Sequence, residues 1–353
     1  MALAGWKEAV SFYEMALQGS TPSQQGEIYE ALGEAYFLEG DNLHAIEAFQ
    51  RAVNLAEQRR DTAGAETAKL ALARTLLSQA RFDEAITLAH QVRISTDLER
   101  ALQAEMLWGT ALSLEGADLE GAAEHLQKAG SFQNAQENPL YRSQIQFDLG
   151  SIAAQQGDLP KAISLYKEAL QAAQEAPPEL GSSLHILACN NLAYHLLLAG
   201  DPAAREYAEA GMALAVEKGA IGLQPYLFST LGEISLAEDD LDSAERYFSE
   251  GLALAERITF PERIAGLTAN LGLVAQRRGQ LDLAIHRLSM AQVRADTLGT
   301  RHLAAQIRLW LAPLLPPVEA HVLLAEARAI AENSGRRLLL EEVNRLEKSL
   351  SMQ

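Results

Sequence analysis

The chain has 353 residues, of which 48% are hydrophobic and only 6% aromatic, and its formal net charge is −18 at pH 7. The negative charge disfavours binding to nucleic acids and anionic membranes, and the single cysteine, Cys189, excludes an intrachain disulfide and fits a reducing compartment. We find neither a basic leader followed by an apolar core nor an apolar run of about 18 residues, so the sequence predicts a cytoplasmic protein without a membrane segment.

The first predicted helix has no partner before it. In residues 1–18, Ala9, Tyr13 and Ala16 recur at helical spacing and share one face. This spacing belongs to the second, or B, helix of a hairpin, whose first helix we call the A helix. A solenoid normally begins with a complete or capping unit, so we expect this orphan B helix to continue from a larger protein.

The first complete hairpin covers residues 31–57. Its A helix carries a large residue followed directly by a small one, a turn follows at Gly40, and Ala45, Phe49 and Ala52 share one face of its B helix. The large–small pair then returns at intervals of 36 to 43 residues. The pairs are Leu32-Gly33, Leu72-Ala73, Trp108-Gly109, Leu149-Gly150, Leu192-Ala193, Leu231-Gly232, Leu271-Gly272 and a degenerate Leu311-Ala312.

Glycine and proline fall between the predicted helices. Proline is tolerated in the first turn of a helix, and Pro160 and Pro202 stand where B helices are predicted to begin. Glycine readily adopts the left-handed conformation that ends many helices. The glycines predicted to end A helices in this way are Gly40, Gly116, Gly157, Gly200 and Gly279.

Near the C-terminus the regular pattern is interrupted. Pro313 is expected to end the last A helix early, leaving a brief helix at residues 301–311 before a B helix that begins near Val318. Residues 335–351 are amphipathic and charged, which predicts a capping helix with a polar outer face. Together these patterns predict one continuous domain, residues 1–353, of about eight to nine helical hairpins.

The repeated pattern resembles the tetratricopeptide repeat, in which large-Gly-x-x-Tyr marks helix A and Ala-x-x-x-Phe-x-x-Ala marks helix B. Leu32-Gly33 with Tyr36, and Ala45 with Phe49, match it in the first hairpin. The common repeat has about 34 residues, whereas here helix B continues by a turn or more and the unit has about 40 residues. This long variant is similar to the MalT-like sensor region of bacterial STAND-type regulators. The resemblance implies an all-α, right-handed α-solenoid.

The resemblance also implies where a ligand would bind. In this family the A helices line the concave face, and its exposed positions lie two and five residues before and after the large residue. Mapped onto this chain, the N-terminal end of that face is acidic, and the middle is apolar with a few amides, which suits a protein or peptide partner or a small effector. Burial in the core is the alternative for each of these positions. The predicted ligand-binding residues are Leu70, Met106, Phe147, Asn190, Asn191, Tyr194 and Tyr226.

No motif predicts catalysis. The chain has no phosphate-binding loop, no nucleophile elbow and no zinc-protease motif. His185 and Cys189 lie four residues apart on one helix, a spacing that would let both side chains bind one metal ion. A small residue of the core is the simpler interpretation of Cys189. We therefore expect a protein that is not an enzyme and that has neither a cofactor nor a metal.

Two functional hypotheses follow. The first is a non-catalytic scaffold, the sensor or interaction region of a larger bacterial protein in signal transduction or transcription regulation, with its partner on the concave face. The second is a stand-alone assembly scaffold, or a homo-oligomer that associates through its N-terminal orphan helix.

Overall fold

The computed structural model describes the backbone of residues 2–21, 24–116, 118–334 and 336–350, and side chains in those ranges from residue 8 onward. Within these ranges the chain forms α-helices, one short 3-10 helix and no strands, which confirms the predicted all-α class. The helices are α1 Ala2–Gly19, α2 Gln25–Glu39, α3 Asn42–Arg59, α4 Thr62–Ser78, α5 Phe82–Val92, α6 Leu98–Glu115, α7 Leu119–Ser131, α8 Gln133–Glu137, α9 Pro139–Gln155, α10 Leu159–Glu175, α11 Pro178–Leu198, α12 Ala204–Glu217, α13 Gln224–Ala237, α14 Leu241–Arg257, α15 Pro261–Arg277, α16 Leu281–Leu298, α17 Arg301–Leu311, α18 Pro317–Asn333 and α19 Arg337–Leu350.

The helices group into two compact units. Unit 1 is Met1–Asn138 and unit 2 is Pro139–Gln353. Unit 1 holds α1, the hairpins α2–α3, α4–α5 and α6–α7, and the short α8. Unit 2 holds the hairpins α9–α10, α11–α12, α13–α14, α15–α16 and α17–α18, followed by α19. A single domain over residues 1–353 stays a prediction from the sequence.

The turns between paired helices are fixed by local chemistry. Gly40 ends α2 with a φ of 91°, a left-handed conformation that costs glycine little. The next residue, Asp41, accepts a hydrogen bond from the His44 amide and so caps the N-terminus of α3. The predicted helix-ending glycines are confirmed, because Gly40, Gly116, Gly157, Gly200 and Gly279 all have positive φ.

In five hairpins, α2–α3, α6–α7, α9–α10, α13–α14 and α15–α16, a large ring or branched side chain of the B helix packs directly on a glycine of the A helix. Phe49 and Phe248 are almost fully buried. A methyl group added to Gly33 would lie 2.7 Å from the Phe49 ring, and one added to Gly232 would overlap the Phe248 ring. The large–small pairs therefore let the two helices approach closely, as the sequence predicts.

Within each unit the A helices touch one another in order along the stack. In unit 1, α2 contacts α4 and α4 contacts α6; in unit 2, contacts join α9 to α11, α11 to α13, α13 to α15, and α15 to α17. No comparable series joins the B helices of the described chain. Helices that sit closer together lie on the inner side of a curved stack, so the A helices form the inner face of each unit.

The two ends agree with the predicted helices. The orphan helix α1 buries Val10 against Leu32 and Ala35 of α2. α17 ends at Leu311, directly before a 3-10 turn that contains Pro313. The capping helix α19 follows α18; residues 335 and 351 of its predicted span lie outside the described residues. None of the helices in the described ranges has the length and apolarity needed to cross a membrane.

Candidate functional site: the inner face

The inner face of unit 1 is charged, and one predicted binding residue there is core. Leu70 is only 6% exposed and packs with Val92 and Ala104. Direct contact between α4 and α6 buries this position, which favours the core alternative for Leu70, and its role in ligand binding stays a prediction. Met106, on α6, is half-buried.

The N-terminal part of that face is acidic, as the sequence predicts, but it is also paired. Arg74 forms an ion pair with Glu34, and its guanidinium lies 4.8 Å from the centre of the Phe37 ring. Burial, helped by the charges of Asp61 and Glu27, raises the pKa of Glu30.

In unit 2, a buried tyrosine organises the start of the inner face. Tyr166 of α10 is 1% exposed, and its hydroxyl lies 3.1 Å from the Ser151 hydroxyl and is also hydrogen-bonded to the Asn191 side chain. The half-buried Phe147 ring meets Tyr166 edge-on at 5.6 Å. Burial raises the pKa of Tyr166 to about 12, so it is a neutral hydrogen-bonding group that joins α9, α10 and α11.

Asn190 joins two A helices. It is 8% exposed, and its side-chain oxygen accepts a hydrogen bond of 2.9 Å from the Thr230 hydroxyl of α13. Its amide nitrogen donates to the Asn191 side chain at 3.3 Å. The close contact of α11 with α13 encloses Asn190, which favours the core alternative at this position, and its role in ligand binding stays a prediction. The neighbouring Asn191 is half-buried and engaged with Tyr166.

Tyr194 is the predicted residue that remains open. It is 37% exposed, and its ring meets His195 edge-on at 5.2 Å. Burial of the hydroxyl, together with the charges of Glu233 and Glu342, raises the pKa of Tyr194. Because the Tyr194 ring has accessible surface while its hydroxyl is desolvated, Tyr194 lies in a recess. The charge of Glu342 acts on it from α19, so α19 borders this recess.

A polar network continues the inner face on α13 and α15. The Ser229 hydroxyl donates to Glu233 at 2.9 Å, and the Asn270 side chain donates to Ser229 at 3.0 Å and to Glu233 at 3.1 Å. Burial raises the pKa of Glu233, while these two hydrogen bonds and Arg263 act in the opposite direction. The direct hydrogen-bond partners of this carboxyl group are neutral donors, which hold it in place.

Tyr226 lies beside the network under a cation. The Arg263 guanidinium is 4.6 Å from the centre of the Tyr226 ring, and Arg263 also pairs with Glu262 at 3.0 Å. Phe260 meets the same ring edge-on at 5.6 Å. Tyr226 is half-buried and burial raises its pKa, so part of the ring is accessible at the edge of the inner face.

The last helices add further polar groups. The Gln306 side chain of α17 donates to Glu342 of α19 at 3.5 Å. Desolvation, together with the charge of Arg336, lowers the pKa of His302 to about 4, although the side chain is exposed by surface area. Like Tyr194, His302 is accessible and yet surrounded by protein.

The described residues contain no group of three His, Cys, Asp or Glu side chains placed to hold a metal ion. Cys189 is buried among apolar residues, and burial raises the pKa of its thiol to about 11. The thiol is therefore protonated and inert at neutral pH, in agreement with its predicted core role.

A separate cleft of about 310 Å³ lies in unit 1 and is lined by residues of α3, α4 and α5. Its walls include Glu57, Lys69 and Glu66. Lys69 pairs with Glu57 at 2.7 Å, and Arg100 pairs with Glu66 at 2.8 Å. Two of its carboxylates are thus already engaged in ion pairs, which makes it a weaker candidate than the inner face of unit 2.

Sequence reasoning found some members of the unit 2 face and missed others. Ser229 and Glu233 stand two residues before and after Leu231, at positions that the repeat pattern marks as exposed. Asn270 directly precedes the large residue of its helix, so a polar residue at that position was the available signal. Glu342 had no signal, because its place depends on how the hairpins of unit 2 curve.

Comparisons with known proteins agree with this fold. The profile of the tetratricopeptide repeat family matches residues 26–59 and 143–175, which correspond to the hairpins α2–α3 and α9–α10. A comparison with curated proteins finds no matching sequence.

Three solved structures share the fold at low sequence identity. A Rap protein complexed with Competence and Sporulation Factor is 13% identical with a TM-score of 0.63, over 94% of this chain and 96% of that one. The apo form of RapI is 12% identical with a TM-score of 0.62, over 78% of this chain and 99% of RapI. A Signal Transduction ATPase with Numerous Domains (STAND) protein from Pyrococcus horikoshii, which has a tetratricopeptide repeat sensor, is 14% identical with a TM-score of 0.60. The likeness covers 99% of this chain but 55% of the STAND protein.

The family profile and the recurring large–small pairs identify the same repeat, and the three solved structures share its fold. The chain therefore contains tetratricopeptide repeats, and it folds as an all-α solenoid of helical hairpins.

Proposed function

We propose that this chain is the sensor or interaction region of a larger regulatory protein, and that it binds a peptide segment on the inner face of unit 2 without catalysis. Two likenesses support the proposal. The STAND protein carries its repeats as a sensor, and one Rap protein is complexed with Competence and Sporulation Factor. We further propose a bacterial, cytoplasmic protein that acts in signal transduction.

The observation that carries the proposal is the environment of Tyr194. Among the described aromatic side chains, Phe12 and Tyr194 are the exposed ones, and Tyr194 stands on an A helix. Its ring offers apolar contact area, while Glu233 offers hydrogen-bond acceptors nearby. An apolar surface with a few fixed polar groups is what a peptide-binding groove requires.

The test is selection of peptides from a random-sequence library on the purified chain, followed by affinity measurements on variants. We expect Tyr194→Ala and Glu233→Gln each to weaken binding of the selected peptides at least tenfold. The control is Met290→Ala on α16, which removes a side chain of 50% exposure from a B helix and should leave affinity unchanged. Peptides that bind Tyr194→Ala and Glu233→Gln as tightly as the unaltered chain would contradict the assignment.

A second candidate function is self-association through α1. Phe12 and Met15 of this helix are each 63% exposed and stand three residues apart, so they share one face of α1 and form an apolar patch. We expect light scattering to show a dimer that dissociates in a Phe12→Ser/Met15→Ser variant. A monomer at high concentration would exclude this candidate and leave the peptide-binding proposal standing.

A further inference from the structure

The C-terminal helix α19 packs against the last hairpin of unit 2 on one side and contacts the first hairpin on the other. On one side it belongs to the core, where Leu339 and Val343 are buried with Leu324 of α18. An ion pair of 2.7 Å between Arg328 and Glu347 adds a polar tie to α18. This side makes α19 a permanent part of the last hairpin.

The other side of α19 reaches the first hairpin of the unit. A methyl group placed on Gly157, in the turn between α9 and α10, would lie 3.4 Å from Leu338 and 3.8 Å from the Arg337 Cβ atom. The chain between these residues forms four complete hairpins. Unit 2 therefore curves far enough for its last helix to meet its first turn.

Behind this contact lies the recess that holds Tyr194. Glu342, one turn further along α19, contacts Gln306 of α17 and acts electrostatically on the Tyr194 hydroxyl of α11. The recess is thus bordered by α11, α13, α17 and α19, and α19, which forms its last wall, also contacts the first hairpin of unit 2 through Leu338 and Gly157.

The closing contact is far weaker than the core. Leu338 is 44% exposed, whereas Leu339 is 4% exposed. No apolar cluster among the described residues joins α19 to α9, α10 or α11. The contact can therefore break while α19 stays folded on α17 and α18, which is the property of a latch.

We propose that the contact of Leu338 with the α9–α10 turn is a latch that regulates access of ligands to the inner face of unit 2. The idea rests on the proposed function of that face. Tyr194 is 37% exposed to water while the latch is closed; opening the latch admits a ligand of peptide size to it, and closing the latch retains that ligand.

The first test asks whether the two ends meet in solution. A Gly157→Cys/Arg337→Cys variant of the full chain places two Cβ atoms at disulfide distance. We expect mild oxidation to give an intramolecular crosslink, detected by mass spectrometry. The matched control is Gly200→Cys/Arg337→Cys, because Gly200 occupies the equivalent turn of the next hairpin with a similar φ of 72°. A crosslink yield no higher than that of this control overturns the closure.

The second test measures access without any ligand. A Tyr194→Cys reporter is treated with a bulky thiol reagent; Cys189 stays silent because it is 2% exposed and its thiol pKa is about 11. We expect Leu338→Asp to accelerate modification at position 194 at least tenfold. Leu298→Asp, which changes a leucine of 41% exposure on α16, should have no effect.

Helix content by circular dichroism verifies that α19 stays folded, and Leu338→Ala serves as the milder variant if it does not. An unchanged modification rate in folded Leu338 variants overturns the latch. Because neither test uses a ligand, the latch can fail while peptides still bind, and the peptide proposal can fail while the latch stands.

Discussion

At the scale of single residues, the structure separates glycines that are needed from one that is not. A methyl group at Gly232 would overlap the Phe248 ring, whereas Gly266, inside α15, has no atom within 4 Å of the same position. We expect Gly232→Ala to lower the free energy of unfolding by about 1–3 kcal/mol because the crossing is overpacked. Gly266→Ala should raise it by about 0.5–1 kcal/mol, since alanine is the better helix former. Urea denaturation of both variants checks the pair, and equal effects would refute the packing argument.

Asn190 provides a second residue-scale prediction. Asn190→Ala leaves the buried Thr230 hydroxyl without its acceptor, so we expect the free energy of unfolding to fall by about 1–2 kcal/mol. Replacing both partners, as Asn190→Ala/Thr230→Val, should recover part of this loss. Chemical denaturation of the double-mutant cycle is the measurement. Two losses that simply add would show that the hydrogen bond contributes nothing.

At the scale of a helix, α11 carries a pH-dependent contribution to stability. Burial lowers the pKa of His195, and its Nδ1 atom lies 2.7 Å from the Asn191 carbonyl oxygen, where the neutral ring donates a hydrogen bond. The unfolded chain therefore binds a proton at a higher pH than the folded chain. The stability that neutral His195 contributes is fully present above about pH 6.5, the ordinary histidine pKa. It is lost as the pH falls from there towards the lower pKa of His195 in the folded chain.

The variant that tests this is His195→Gln, which keeps a donor but does not titrate. We expect the free energy of unfolding of the unaltered chain to fall more steeply between pH 7 and pH 5 than that of His195→Gln. Thermal denaturation across this range gives both slopes. Parallel slopes would mean that His195 titrates alike in the folded and unfolded chain.

Helix order and helix ends were predictable because they depend on neighbours in sequence. The large–small pairs fix which residues of a hairpin meet, and Gly40 and Pro313 mark ends through backbone geometry alone. Burial on the inner face was not predictable in the same way. Leu70 and Asn190 occupy positions that the repeat pattern marks as exposed, but direct contacts between consecutive A helices enclose them.

At the scale of the whole molecule, net charge sets the response to salt. The chain carries a formal charge of −18, and most of its ion pairs are partly exposed, so repulsion between carboxylates opposes the folded state. We expect the melting temperature to rise between 20 and 200 mM salt, where the Debye length falls to less than about 10 Å. NaCl and KCl should act alike in calorimetry. A melting temperature that falls with salt would show that attractive pairs dominate.

Curvature is the property of the whole unit that sequence reasoning could not supply. Leu338 comes close to Gly157 because the small angles between successive hairpins add up along unit 2. No single residue determines that total rotation. For the same reason Glu342 gave no sign that it would border the Tyr194 recess.

The hydrogen bonds between A helices help to determine which hairpins pack next to each other when the chain folds. Asn190 bonds Thr230 and Asn270 bonds Ser229, each across about one repeat. Hairpins that share one apolar pattern could dock on the wrong neighbour with little loss of burial. If α11 or α15 packed against the wrong hairpin, it would bury an amide without its hydrogen-bond partner. These polar pairs therefore disfavour every order of repeats except the native one.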